Sequence, residues 1–255
     1  MIRAADDNKV RLDVAYRLRY HAAHIEARRL VQSGVLGELQ LIKAQNFVGG
    51  PRPYWATMPG WRNDPALAGS GSIVAQAVHP VDLLRYLTDS EITEVRCITD
   101  ARPPSRPVDE CTVSIFQFAN GAQGMVASGA IVPRSDNDAV LYGDKGKLSC
   151  FGTLGRNEAS RAQEVVVESD APEVRLPFPD DTPVTRTTRL IEAFNRSRLL
   201  SYCRTAFRRA LMANHPRHLA VLNAVAERVG WGSTAAPVNG QAVYFGHVVE
   251  GDATN

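Results

Sequence analysis

The chain has 255 residues, 44% hydrophobic and 22% charged, enough for one large domain or two small ones and with no bias toward disorder. A formal net charge of +2 supplies no general attraction to nucleic acid or to a membrane surface, and no apolar run approaches the roughly 18 residues of a membrane-spanning helix. The first eleven residues mix both charge signs without an apolar core, and the four cysteines are scattered, so the expectation is a cytoplasmic protein with structural thiols.

In chain order, residues 10–16 (VRLDVAY) alternate apolar and polar and predict a strand. Ile25, Ala27, Leu30 and Val31 predict a helix over 23–33, stopped by Gly34, and 39–47 reads as a second strand. Residues 49–71 are rich in Gly and Pro and hold Trp55 and Trp61. They predict a long irregular loop, which in a compact domain is a functional signal. Helical spacing covers 72–87. Short β segments follow at 94–99, 112–118, 122–128 and 139–141, with Asn120-Gly121 as a hairpin turn. Two more, 147–151 after the Asp144-Lys145-Gly146 turn and 164–168, lead through a polar connection at 170–183 to helical patterns at 186–212 and 217–229.

This order predicts an α+β fold, a mostly antiparallel open sheet with helices packed on one face. Val113 and Ile115 alternate with Ser114, Phe116 and Phe118, so that strand is apolar on both sides. The second face is therefore expected to be covered in a homo-oligomer.

Four features bear on chemistry. Gly69-Ser70-Gly71-Ser72 resembles the opening of a dinucleotide-binding glycine loop, but no apolar strand precedes it and the third glycine is missing. It reads instead as a segment where small residues allow close backbone approach. The pairs His21/His24 and His215/His218 have metal-like spacing without a nearby cysteine or carboxylate set, and read as solvent-exposed or helix-end histidines. Arginines 196 to 217 form a run without acids between Glu192 and Glu227, read as the solvated face of an amphipathic helix. His79 is followed three residues on by Asp82, one helical turn away. An imidazole oriented by a carboxylate can act as a general base near neutral pH. The equal alternative is a core histidine, with Asp82 paired locally and Pro80 starting the helix.

Several of these pieces together resemble one family. Residues 10–38 (VRLDVAYRLRYHAAHIEARRLVQSGVLGE) are similar to its strand–arginine–helix–Gly-x-x-Gly segment. WRNDPALAGSGSIVAQAVHPVDLLRYL resembles its Trp-Arg, glycine-rich and His-x-x-Asp helix, and VDECTVSIFQFANGAQGMVASG and VLYGDKGKLSCFG resemble its hairpin and turn. This is the glucose–fructose oxidoreductase/inositol dehydrogenase/MocA family of NAD(P)-dependent enzymes. The resemblance implies residues 1–20 as a remnant of a dinucleotide-binding domain, 21–240 as a substrate-binding and oligomerisation domain, and 241–255 as a C-terminal tail. It implies His79 as the catalytic histidine, Arg19, Trp61 and Arg62 on the substrate side, and Asp82 in support. A sugar or polyol would be the substrate and NAD or NADP the cofactor, with no residue here assigned to hold the cofactor or a metal. The family's cofactor loop and a polarising lysine would precede the first strand, outside this sequence, and Ala75 stands where many members carry an acid or amide. The expectation is thus a substrate-binding half that is incomplete as an isolated enzyme, against the alternative of a non-catalytic sugar-binding or oligomerisation module.

Overall fold

A computed structural model describes residues 2–8, 11–50, 52–55, 60–101, 107–154, 162–196 and 241–245. The chain divides into two compact units, Leu18–Arg186 and Met1–Arg17 with Thr187–Asn255. In the second, α1 (Ile2–Asp7) precedes β1 (Arg11–Ala15), which pairs in parallel with β10 (Gln241–Phe245).

Leu18–Arg186 is built on one eight-stranded sheet. Its strands are β2 (Leu39–Phe47), β3 (Ile92–Thr99), β4 (Cys111–Phe118), β5 (Gln123–Gly129), β6 (Ala139–Gly143), β7 (Gly146–Phe151), β8 (Glu164–Ser169) and β9 (Val174–Pro177). The order is β3-β4-β5-β2-β6-β7-β8-β9. β2 lies between two meanders, parallel to β5 and antiparallel to β6, and every other neighbouring pair is antiparallel. The expected α+β class and mostly antiparallel sheet are what the chain forms.

Alternation explains the core. In β4, Thr112, Ser114, Phe116 and Phe118 are buried while Val113 and Ile115 are exposed, so one side faces the helices. Ala23 and Ala27 of α2 (Ala22–Gln32) and Leu83, Leu84 and Leu87 of α4 (Val78–Thr88) meet Ile42, Phe116, Phe118, Val126, Leu141, Leu148 and Val165 in one core. Each fully buried leucine contributes about 1.5–3 kcal/mol. α4 lies against β2, and α2 against β7, β8 and α4.

Three local expectations change. Residues 49–71 are not wholly irregular: a 3-10 turn at Gly60–Asn63 and the short α3 (Pro65–Ala68) fall within them, α3 capped by Asp64. The single helix expected over 72–87 begins with a π-helical turn, Ile73–Ala77, before α4. β9 occupies part of the supposed connection at 170–183. It is an edge strand exposed along most of its length, so it carries no alternation to read. Of the last helical patterns, α5 (Pro183–Arg196) covers the start of the first. The remainder, with His215, His218 and the basic run beyond Arg196, lies outside the described residues.

Candidate active site

The helix bearing His79 is held by parts distant in sequence. Pro80 has no N–H to offer the carbonyl of Gln76, four residues earlier. Asn46, on the buried side of β2, fills that role: its Nδ2 donates to the Gln76 oxygen at 2.9 Å. A π-helical turn is uncommon and often marks a functional place in a helix. His79 follows this turn and is buried, including its Nε2 atom.

One turn further along α4, Asp82 accepts two hydrogen bonds from Arg19, Nε to Oδ2 at 2.7 Å and the terminal nitrogen to Oδ1 at 2.5 Å. A 3-10 turn, Arg17–Tyr20, delivers the arginine. Burial pushes the Asp82 carboxyl above its usual range, and the Arg19 guanidinium opposes that shift. Tyr86, one turn beyond Asp82, has the guanidinium carbons of Arg19 and Arg28 at 5.5 and 4.6 Å from its ring centroid. Burial also raises the Tyr86 phenol, against the pull of the same two cations. Both Asp82 oxygens thus serve Arg19.

The glycine segment before the π turn is fastened by Asp109. Its Oδ1 accepts from the Gly71 amide at 2.7 Å and from the Ser70 hydroxyl, and its Oδ2 from the Ile73 amide and the Thr112 hydroxyl at 2.9 and 2.8 Å. The Asp109 carbonyl takes the Ser72 amide at 2.9 Å. No local side chain caps this helical run, so a carboxylate from before β4 satisfies its first amides and complements its dipole. A Cβ on Gly71 would lie 2.1 Å from the Asp109 carbonyl oxygen and 2.7 Å from Trp55 Nε1, which is the close approach that glycine permits.

Glu110 is the neighbouring residue and serves the other loop, since successive side chains on an extended chain point apart. It accepts from the Tyr54 amide and lies 3.5 Å from Arg52 Nε. Arg52 also pairs with Asp100 at 2.9 Å. Burial pushes the Asp100 carboxyl up, but the Cys111 and Glu110 amides and Arg52 outweigh it and hold it below its usual range. Asp109, Glu110 and Asn46 were not singled out from the sequence. The available signal was a pair of adjacent acids heading an apolar strand, and an amide inside another.

Trp61 and Arg62 lie in the 3-10 turn Gly60–Asn63, with the Arg62 guanidinium 5.2 Å from the centroid of the Trp61 ring. Among the described residues no hydrogen bond or ion pair joins them to Arg19, His79 or Asp82. His21 and His24 are helix-end histidines, His21 being the N-cap of α2, but both are fully buried and neither faces solvent, which corrects the solvent-exposed alternative. His21 Nδ1 is 2.7 Å from Asp181 Oδ2, which Arg186 Nε also meets at 3.0 Å. His24 Nδ1 donates to the Leu18 carbonyl at 2.7 Å, leaving Nε2 to accept from the Thr153 hydroxyl at 2.8 Å. Burial pushes His24 well below the usual histidine range, with the His21 and Arg186 charges acting in the same direction. The carboxylate that completes this cluster stands 160 residues away in sequence, beyond any spacing rule.

Comparison with known proteins decides the family. Residues 24–149 match the family model described as the GFO/IDH/MocA C-terminal domain. The chain carries a GFO/IDH/MocA C-terminal domain. It is 26% identical over 153 residues to a levoglucosan dehydrogenase of Pseudarthrobacter phenanthrenivorans, a match covering 49% of this chain and 38% of that protein. Its fold is shared with an aldose-aldose oxidoreductase from Caulobacter crescentus solved with glycerol, at TM-score 0.64 and 22% identity over 78% of this chain and 56% of that one. An inositol dehydrogenase homologue from Azotobacter vinelandii, solved with NAD+, superposes at TM-score 0.54 and 23% identity, over 68% of this chain and 45% of that one. The chain thus spans between 38% and 56% of the length of these relatives. Among the described residues of the GFO/IDH/MocA domain, no helix is long and apolar enough to cross a membrane.

The glycine segment of this domain does not fit a dinucleotide. A pyrophosphate needs unengaged amides at a helix start. In the glycine segment the amides of Gly71 and Ile73 are taken by the Asp109 carboxylate, whose charge would repel a phosphate.

Proposed function

We propose that this domain is the substrate-binding half of an NAD(P)-dependent oxidoreductase that oxidises a hydroxyl of a sugar or polyol. His79 would take the hydroxyl proton, and Arg19, Trp61 and Arg62 would lie on the substrate side. The observation that carries this reading is the anchoring of the His79 helix: Asp109, Asn46 and the Arg19–Asp82 pair act on one short run of chain. Such over-determination suits a base that must meet a proton within hydrogen-bond reach. The relatives, a levoglucosan dehydrogenase and an aldose-aldose oxidoreductase among them, support the substrate class.

Oxidation of a CH–OH group removes a proton and a hydride. NAD(P)+ supplies the hydride acceptor, and no described residue is assigned to hold it. Asp82, held by Arg19, positions that arginine. A guanidinium can hydrogen-bond hydroxyls, and an indole face can stack on a sugar ring.

In the NAD(P)-supplied enzyme carrying this domain, His79→Ala is expected to lower turnover by about 10²–10⁴-fold and leave cofactor affinity unchanged. Nicotinamide fluorescence reads both quantities. An unchanged turnover removes His79 from the mechanism. Ala75, four residues before His79 and unable to relay a proton, favours a second reading, a sugar-binding or oligomerisation module without catalysis. It requires that sugar binding survive without any nicotinamide signal from the full protein. We further infer that the open sheet face pairs with a second copy of the chain.

A further inference from the structure

The geometry points to Gln76 as a substrate contact that holds a hydroxyl next to the one His79 acts on, and so as a determinant of specificity for neutral polyols. This rests on the reading of His79 given above. Gln76 stands in the π-helical turn three residues before His79, a separation that puts two side chains on neighbouring parts of a helical surface. It is the only polar side chain between Ser72 and His79, where the sequence reads Ile73-Val74-Ala75-Gln76-Ala77-Val78. An amide in an apolar run needs a reason.

Its backbone carbonyl is fastened from outside the helix. Pro80 leaves the Gln76 carbonyl without its helical donor, and Asn46 Nδ2 binds that carbonyl at 2.9 Å. The direction in which the side chain leaves the turn is therefore set before any ligand arrives. The residue is only 8% exposed. Its amide makes no hydrogen bond among the described residues, yet neither of its polar atoms is sealed from solvent. A side chain so buried, with two donors and two acceptor sites unused, is unusual in a folded protein.

The surroundings agree. On the helix-facing side of the sheet, Thr112, Ser128 and Asn46 are register partners in one row across β4, β5 and β2. All three are buried, and the Ser128 hydroxyl has no partner among the described residues. This polar row interrupts an apolar core at the strand that fastens Gln76. A neutral amide both donates and accepts, as does a hydroxyl, whereas an anion would use only its donors and a hydrocarbon neither. The matching ligand carries adjacent hydroxyls, one presented to His79 and one to Gln76.

The test is titration of the chain with levoglucosan, myo-inositol and D-glucose, followed by protein NMR. Gln76→Ala and Gln76→Met, the second keeping side-chain length, are expected to weaken binding of the sugar that binds best by about 3- to 10-fold, the worth of one hydrogen bond. Their thermal midpoints should match the wild type. One monodeoxy form of that sugar should bind wild type and Gln76→Ala equally, because the deleted hydroxyl and the deleted amide are partners. Weakened binding that is the same for every deoxy form would overturn the contact. If His79→Ala or Trp61→Ala weakens binding and neither Gln76 variant does, the assignment of Gln76 fails while the proposed function stands. If none of the three sugars binds, both fail together.

Discussion

Arg19 and Asp82 share two hydrogen bonds across 63 residues of sequence, but they do so from unlike surroundings. The Asp82 side chain is 4% exposed and that of Arg19 is 35% exposed, so water screens one partner and not the other. Removing the arginine strands a carboxylate, whereas removing the carboxylate leaves an arginine that can reach solvent. Arg19→Met is therefore expected to destabilise the chain by about 1–3 kcal/mol, and Asp82→Asn by less, as read from urea unfolding. The Asp82 carboxyl is already raised by burial, and loss of Arg19 raises it further. A raised carboxyl binds more protons in the native state, so the stability of Arg19→Met should fall as pH rises above about 4, through the folded value. His24 works in the opposite direction. Its value is lowered by burial, so the native state binds fewer protons than the unfolded chain. That contribution to stability is present above about pH 6.5 and is lost as pH falls toward the folded value. Urea midpoints should drop between pH 7 and 5, and His24→Asn should flatten that slope. An equal slope in the two proteins would show that His24 does not titrate as its burial requires.

At the scale of elements, the segment Gly69–Ile73 is the joint on which α4 turns, and Asp109 is its fastening. Asp109→Asn replaces one acceptor by a donor facing amide and hydroxyl donors, at a cost of about 1–3 kcal/mol. Hydrogen exchange at Gly71 and Ile73 should speed up in that variant more than exchange in β7 or β8. Gly71→Ala should show the same pattern, since its Cβ would lie 2.1 Å from the Asp109 carbonyl oxygen. Exchange unaltered at those two amides would mean that the carboxylate does not hold the turn. Much of this architecture was legible in the sequence. β2 spans the residues that alternation marks, and Asn120-Gly121 closes the β4–β5 hairpin, with Gly121 at φ +90°. What escaped has a common cause. The π turn depends on Asn46 and Pro80 together, the loop before it on Asp109, and the His21 pair on Asp181. Each is a partnership between positions far apart, whereas periodicity reports only neighbours. β9 escaped for the opposite reason, since exposure along both sides leaves no pattern at all. The candidate base itself was visible as His-x-x-Asp, but the partner of that aspartate was not.

For the whole molecule, the open side of the sheet is where shape and composition disagree with a solitary existence. Register places Ile98, Val113 and Ala127 side by side on β3, β4 and β5, with Ile115 and Met125 in the next row beside Arg96. Ile98 is 77% exposed, Ile115 53% and Val113 41%. Scattered exposed aliphatics need no explanation, but adjacent ones on a sheet face form a patch of the kind that proteins cover. The edge itself is a poor meeting place, because β3 carries Glu94 and Arg96 among its apolar residues, and charges on an edge strand oppose edge-to-edge pairing. A face-to-face contact between two copies would bury these rows at roughly 25 cal/mol for each Å² of apolar surface, and a stable interface takes about 800 Å² from each partner. The chain is accordingly expected to sediment as an oligomer at micromolar concentration. Ile115→Glu, which sets a carboxylate in the middle of the rows of both copies, should shift it toward monomer without altering its circular dichroism. A parallel change at Val184, exposed on α5 and off the sheet, should leave the mass unchanged. Sedimentation of the wild type as a monomer would remove the second copy and leave the patch for some other partner.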